Sequence, residues 1–315
     1  GVTLKGRLRV VARVPGGLKL HDIARNGRVL LTRESPRVGI LGMLHGDSRE
    51  HDMSFLDYSF AADLGTDSQA LLFDEEGEAG GANYTVYLRK ADGSPVVRLG
   101  EGNALSLSPD GKWALSIMAT PGSPFRLLAT GTGEPKLLST AGINPEQGAA
   151  WFPDNRRIAF AGSEPGHGLR IYVLDIEGSK PRAITPEGIT AALPGFAISP
   201  DGRLVAAIGK DHRAMLFPVD GGSSRPINGV ADGEFPLRFS PDGRSLYTWK
   251  RGEIPARIAR IDIESGRREI WKELLPVDPA GVERISNVLV SPDSRGYAYC
   301  YARLLSDLFV VEGLK

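Results

Sequence analysis

The chain has 315 residues, of which 41% are hydrophobic and 24% charged, and its 38 basic and 38 acidic side chains give a formal net charge of zero. These are ordinary globular proportions, and the charge balance leaves no general field that would draw nucleic acid or an anionic membrane surface. No apolar run approaches the roughly 20 residues of a membrane-spanning helix, so no direct membrane insertion is expected, and the single cysteine, Cys300, excludes an intrachain disulfide.

In chain order, an apolar strand at Leu8-Arg-Val-Val-Ala-Arg-Val14 precedes the first of a series of similar turns. The clearest copies are Ser108-Pro109-Asp110-Gly111, Ser199-Pro200-Asp201-Gly202 and Ser240-Pro241-Asp242-Gly243, each between two apolar stretches. Pro presets φ at the second turn position, Asp tolerates the third, and Gly takes the left-handed conformation of a bulged type I turn, so two antiparallel strands should flank each copy. Aligned on the Asp, degenerate copies fall at Asn26, Asp67, Asp110, Asp154, Asp201, Asp242 and Asp293, with spacings of 41, 43, 44, 47, 41 and 51 residues. That period is one four-stranded propeller blade. Helix-pair solenoids share the period, but no helical periodicity follows the turns.

The rest of each unit supports two further strands, as in Leu169-Arg-Ile-Tyr-Val-Leu-Asp175 and then, after Glu177-Gly178, Pro181-Arg-Ala-Ile-Thr185. The last unit stops after its third strand, Asp307-Leu-Phe-Val-Val-Glu312, so the strand at residues 6–15 is expected to complete it and remove two exposed edges. The expectation is a single all-β domain over residues 1–315. It is a seven-bladed propeller with blades at about 16–52, 53–101, 102–142, 143–190, 191–231, 232–278 and 279–315. Gly and Pro are spread along the chain as turn punctuation, and no linker stands out. Three turns, at Asp67, Asp154 and Asp293, lack the bulge Gly and should differ in geometry. The chain opens on Gly1 rather than Met and shows no secretory signal, the pattern of an excised fragment.

No familiar catalytic kit is present. Kinase signatures, a Gly-x-Ser-x-Gly elbow, a P-loop and His-Glu-x-x-His are all missing, so this chain is not expected to be an enzyme or to need a cofactor. His45, Asp47, His51 and Asp52 are metal-ligating types in one loop, but their spacing fits no zinc signature, and they read as a solvated loop with no metal. Cys300, within Tyr297-Ala-Tyr-Cys-Tyr301, reads as a packed thiol. Asn83-Tyr-Thr85 fits a glycosylation sequon of the kind that arises by chance. Binding candidates come from the loops between second and third strands, which should surround one mouth of the central channel: Arg33, Glu34, Glu75, Glu76, Glu78, Glu164, Arg251, Glu253 and Arg303. A ring of carboxylates there would favour a cation or a basic peptide, and loops on a rigid scaffold are where binding concentrates. The partner is an unknown protein, peptide or small ligand, and the propeller itself is expected to be a monomer.

The Ser-Pro-Asp-Gly hairpins resemble the WD40-like repeats of TolB-type propellers, which makes six blades the alternative count. Longer stretches at residues 22–35, 83–94, 98–102 and 305–315, with Trp271-Lys-Glu-Leu-Leu-Pro276, are similar to the C-terminal propeller of bacterial serine/threonine protein kinases of the acidobacterial type. That resemblance covers nearly the whole chain. It implies a kinase domain upstream, a membrane-spanning helix between, and an extracytoplasmic sensor or interaction role for the propeller; without a membrane-spanning parent the chain would be cytoplasmic. It transfers no catalytic residue. A free-standing TolB-like periplasmic interaction propeller, and a lactonase-like enzyme or peptidase gate, are the alternatives.

Overall fold

The structure, a computed structural model, describes residues 6–7, 10, 17–44, 46–178, 180–190 and 195–313. Its strands in chain order are β1 Gly17–Ile23, β2 Val29–Met43, β3 His51–Asp52, β4 Ser59–Leu64, β5 Ala70–Glu75, β6 Thr85–Lys90, β7 Val97–Glu101, β8 Asn103–Leu107, β9 Trp113–Ile117, β10 Phe125–Ala129, β11 Lys136–Leu138, β12 Asn144–Trp151 and β13 Arg157–Ser163. There follow β14 Arg170–Asp175, β15 Arg182–Ala183, β16 Phe196–Ile198, β17 Leu204–Ile208, β18 Ala214–Pro218, β19 Arg225–Pro226, β20 Glu234–Phe239, β21 Ser245–Lys250, β22 Ala256–Asp262, β23 Arg268–Leu274, β24 Val282–Val290 and β25 Tyr297–Val311. One short 3-10 turn, Glu78–Gly80, is the only helical element among the described residues.

These strands form six antiparallel sheets among the described residues: β4–β7, β8–β11, β12–β15, β16–β19, β20–β23, and a closing sheet in the order β1-β2-β25-β24, with β3 beside β2. Among the described residues the seven turn copies therefore fall in six sheets, as many as the alternative count of blades, because the first and last copies share one sheet. Ring closure uses two strands from each end of the chain. β2 pairs with β25 over fifteen residues, from Val29↔Val311 to Met43↔Tyr297. Residues 6–15, expected to be the closing strand, lie mostly outside the described residues, and Gly6, Arg7 and Val10 are not in a strand.

Charges and Pro36 make residues 33–37 look like a loop, yet they sit mid-strand. The Val38 N–H donates to Asp57 O at 2.9 Å, away from β25. By the two-residue period the missing N–H of Pro36 faces that same outer side, where the described pairing with β1 reaches only Gly17↔Glu34, so among the described residues no ladder bond is lost.

The turns explain their own sequence. Ser199 Oγ donates to Asp201 Oδ1 at 2.6 Å and accepts the Leu204 N–H at 2.9 Å, while Asp201 Oδ1 also takes the Arg203 N–H at 3.0 Å. The copies at Ser108, Ser240 and Ser291 repeat this. Hydrogen bonds from the serine hydroxyl and then the backbone hold Asp201 and Asp242 below the usual carboxylate range.

The three turns without glycine do not differ in geometry. Ser68, Asn155 and Ser294 have φ of 56°, 57° and 57°, against 69°, 69° and 70° at Gly111, Gly202 and Gly243. Left-handed φ costs a non-glycine residue about 1 kcal/mol, and two of the three recover it between blades. Asn155 Oδ1 accepts the Asp110 N–H at 2.8 Å, and Ser68 Oγ donates to Asp293 Oδ1 at 2.6 Å. Ser294 Oγ is buried without a hydrogen-bond partner. Ser294→Gly is therefore expected to stabilise the fold by up to about 1 kcal/mol, and Asn155→Gly to give no gain, as read by paired thermal melts.

Apolar side chains between neighbouring blades form the core. Leu115, Phe125, Phe160 and Tyr172 join the second and third sheets, while Ile40, Leu71, Phe73 and Cys300 join the closing sheet to the first. Cys300 is fully buried and burial pushes its thiol up to about 12, so it is a packed thiol as its sequence context suggests.

Candidate functional site

The six innermost strands, β4, β8, β12, β16, β20 and β24, line a central tunnel. Five of them carry a register break at about the same depth: Ala61/Asp63, Ala104/Ser106, Pro145/Ala149, Pro236/Arg238 and Ser286/Leu289. A bulge inserts one residue into a strand and re-aims its side chains. Here Asp63, Ser106, Arg238 and Asn287 all become tunnel-lining residues. Asn287 takes φ of 45° at its bulge, and its Nδ2 donates to Ala61 O at 2.9 Å across to the first blade.

The ionic centre of the tunnel joins blades that are not neighbours. Arg238 Nη2 on β20 donates to Asp63 Oδ1 on β4 at 2.8 Å, and the inner strand of the closing blade lies between them in the ring. The other oxygen, Asp63 Oδ2, accepts from Ser106 Oγ at 2.9 Å and from the Leu107 N–H at 3.0 Å. The pair borders two chambers, one of about 120 Å³ within the bulge ring and one of about 330 Å³ opening towards the Ser-Pro-Asp-Gly turns.

The larger chamber is a funnel whose rim is made by the turns themselves. Pro109, Pro153, Pro200, Pro241 and Pro292 come one from each of five blades, with Thr66 at the corresponding place in the sixth, and Leu107, Trp151, Ile198 and Phe239 lie inside the ring. Thr66 Oγ1 donates to Pro109 O at 2.9 Å, tying two rim segments together. Asp63 and Arg238 are the only ionisable side chains in this lining, and they neutralise each other. A site so built offers a rigid apolar cup with a neutral polar floor.

None of the nine residues singled out from sequence lines either chamber. Arg33, Glu34 and Arg303 are not in loops but within the long β2–β25 pair. Arg33 binds Asp307 at 2.7 Å and Arg303 binds Asp278 at 3.3 Å. Glu75 is buried and accepts from Ser59 Oγ and from the Leu56 N–H at 3.0 Å. Glu76 accepts from Asn103 Nδ2 at 2.9 Å. Glu78 opens the 3-10 turn after β5, Glu164 lies between β13 and β14 near the Tyr172 hydroxyl at 3.4 Å, and Glu253 pairs with Lys250 at 3.7 Å in the β21–β22 connection that also carries Arg251. The guanidinium of Arg251 rests over Phe235 at 5.2 Å.

In the loop after β2, Asp47 and Asp52 serve backbone N–H groups of Leu44 and Ser54, and His51 Nε2 stands 3.7 Å from Asp47 Oδ1. His45 lies outside the described residues, and among those described no three metal-ligating side chains converge.

A buried carboxylate on β5 has its own signature. Burial first, and then the charges of Glu76 and Glu75, raise Asp74 well above the usual carboxylate range, against the lowering effect of the Ala104 N–H at 2.6 Å. A carboxyl raised in the folded state is stabilising while protonated, and its contribution is lost as pH climbs through the folded value. Asp74→Asn is thus expected to raise the melting temperature at pH 7, with a gain that shrinks as pH falls towards 4; a gain independent of pH would contradict this origin.

The chain is similar to several solved structures. The TolB candidate from Agrobacterium tumefaciens superposes with a TM-score of 0.64 at 20% identity, over 86% of this chain and 99% of that one. The fold is that of a TolB-like β-propeller. TolB from Acinetobacter baumannii matches the propeller with a TM-score of 0.57 at 17% identity, over 78% of this chain and 67% of that one. An oligogalacturonate lyase in complex with manganese matches at 0.52 and 16% identity, over 89% and 77%. No family model and no curated protein matches the chain. Likeness at these identities establishes the fold alone.

Proposed function

We propose that this propeller is a non-catalytic recognition domain that takes an uncharged, apolar segment of a protein or peptide partner in the funnel on the side of the Ser-Pro-Asp-Gly turns. The observation that carries this reading is the funnel itself: about 330 Å³, rimmed by turn prolines, lined by apolar side chains, with its two ionisable groups paired to each other. Bound groups there would gain from apolar burial at about 25 cal/mol per Å² against a rim that loses little entropy on binding, since its backbone is already fixed by proline and by hydrogen bonds within each turn. Placement on a receptor-like kinase, outside the cytoplasm, extends the proposal on the strength of the sequence resemblance described above, and a free-standing TolB-like interaction protein would use the same funnel.

An enzymatic reading draws on the lyase likeness and would need a catalytic constellation in or beside the tunnel. The two readings separate experimentally. Selection from a random peptide library against the wild-type chain should yield apolar binders that lose affinity at least tenfold for Ala150→Trp, which fills the tunnel where both chambers meet. The same binders should keep their affinity for the triple variant Glu75→Gln, Glu76→Gln, Glu78→Gln. Turnover of oligogalacturonate by the purified chain with manganese supplied would overturn the non-catalytic reading.

A further inference from the structure

The closing blade is longer than the others, and its outer part stands clear of the ring. β24 accompanies β25 only as far as Val282↔Arg303, and the Leu304 N–H to Gly281 O bond at 2.9 Å is the last on that side among the described residues. β25 continues to Val311, bonded to β2 on its other side. Because the Leu304 N–H points towards the β24 side, the two-residue period turns the backbone N–H and C=O groups of Ser306, Leu308 and Val310 to the same side, where no described strand meets them. Leu305, Leu308, Phe309 and Val310 are 50%, 67%, 40% and 61% exposed. Natural edges are guarded by Pro, Lys, bulges or short length. Residues 305–311 contain no Pro or Lys and pair with β2 in unbroken register, and their one charged side chain, Asp307, is held by Arg33 on the adjacent strand.

We infer that this edge joins the same edge of a second copy of the chain, in an antiparallel two-fold pair centred on Leu308. Hydrogen bonding is self-complementary in that register: Leu308 faces Leu308, and Ser306 faces Val310, each pair exchanging two backbone bonds. Charge complementarity selects a second copy. The strand carries the Arg303–Asp278 pair at one end and the Arg28–Glu312 pair just beyond the other, so a two-fold axis sets Arg303 of one copy beside Glu312 of the other at both ends, and no like charges face each other. Asp307, already held by Arg33 at 2.7 Å, faces Phe309 of the second copy instead of another Asp307, and Leu305 faces Val311. Pairing onto β1 instead would be heterologous and would not close. The edge lies at the outer end of the closing blade, so a dimer of this kind leaves the funnel open and is independent of the proposed binding site.

Sedimentation equilibrium of the 315-residue chain over a wide concentration range should show a reversible approach to twice the monomer mass. Leu308→Pro removes an outward N–H while leaving the bonds to β2 intact, and Leu308→Lys guards the edge without touching the backbone. Both should be monomeric throughout, with the melting temperature that the wild-type chain shows when diluted to the monomer. Leu308→Cys should give a covalent dimer on mild oxidation, because Cα atoms of a hydrogen-bonded pair stand about 5.5 Å apart, whereas Leu305→Cys should not. A monomeric wild-type chain, a dimer that survives both Leu308→Pro and Leu308→Lys, or equal cross-linking from positions 305 and 308 would overturn the inference.

Discussion

Deletion of residues 1–43 is expected to abolish the cooperative unfolding transition, whereas deletion of residues 1–16 leaves it in place. The longer deletion removes β1 and β2, and with them the fifteen-residue partner of β25. It also strips Val38 and Ile40 from the core shared by the closing and first blades. Burying one such aliphatic side chain contributes about 1.5–3 kcal/mol, so the loss of several, together with an entire strand pair, is comparable with the total stability of about 5–15 kcal/mol typical of a domain. What remains of the last blade is a two-stranded ribbon, marginal by itself, with a newly exposed edge. Calorimetry of the two truncations reads the difference: a cooperative melt of the 1–43 deletion near the wild-type temperature would show that the ring does not depend on this closure.

Arg238→Met is the second large effect. It leaves the Asp63 carboxylate, whose side chain is only 11% exposed, without its cation. Removing one partner of a buried pair costs about 3–5 kcal/mol. The 31% exposure of the Arg238 side chain and the three remaining bonds from Leu64, Ser106 and Leu107 reduce this, to about 2 kcal/mol by the weakening that solvent imposes on exposed pairs. The double variant Asp63→Asn, Arg238→Met should recover most of the loss, because no unpaired charge is then left in the tunnel. A double variant as unstable as the sum of the two single ones would mean that the pair is not coupled across the lumen.

The repeat was legible from sequence because each turn states its own geometry: Ser as hydrogen-bond acceptor, Pro for φ, Asp for the following N–H, and Gly or a substitute at left-handed φ. Blade number was not legible from the same count. Whether the units around Asn26 and Asp293 form two blades or one depends on a pairing between the chain ends that no local pattern encodes, and Pro36 reads as a loop until the direction of its missing N–H is known. The tunnel residues were hidden for a related reason. Asp63 and Arg238 sit in apolar inner strands, Ser59-Phe-Ala-Ala-Asp63 and Phe235-Pro-Leu-Arg238, where the available signal was a break in alternation beside a charge, the mark of a bulge. Charge alone marks Glu75 and Glu76 as loop ligand groups, whereas they accept hydrogen bonds from Ser59, Leu56 and Asn103. The Ser-Pro-Asp-Gly turns explain themselves as hairpin geometry, yet their prolines also form the rim of the funnel.

Hydrogen exchange with one of the selected apolar peptides tests the funnel most directly. Binding there predicts protection of amides in the rim segments around Leu107, Trp151, Ile198 and Phe239, with exchange unchanged in the loops that carry Glu78, Glu164 and Glu253. Protection of those loops, with the rim segments unaffected, would contradict it.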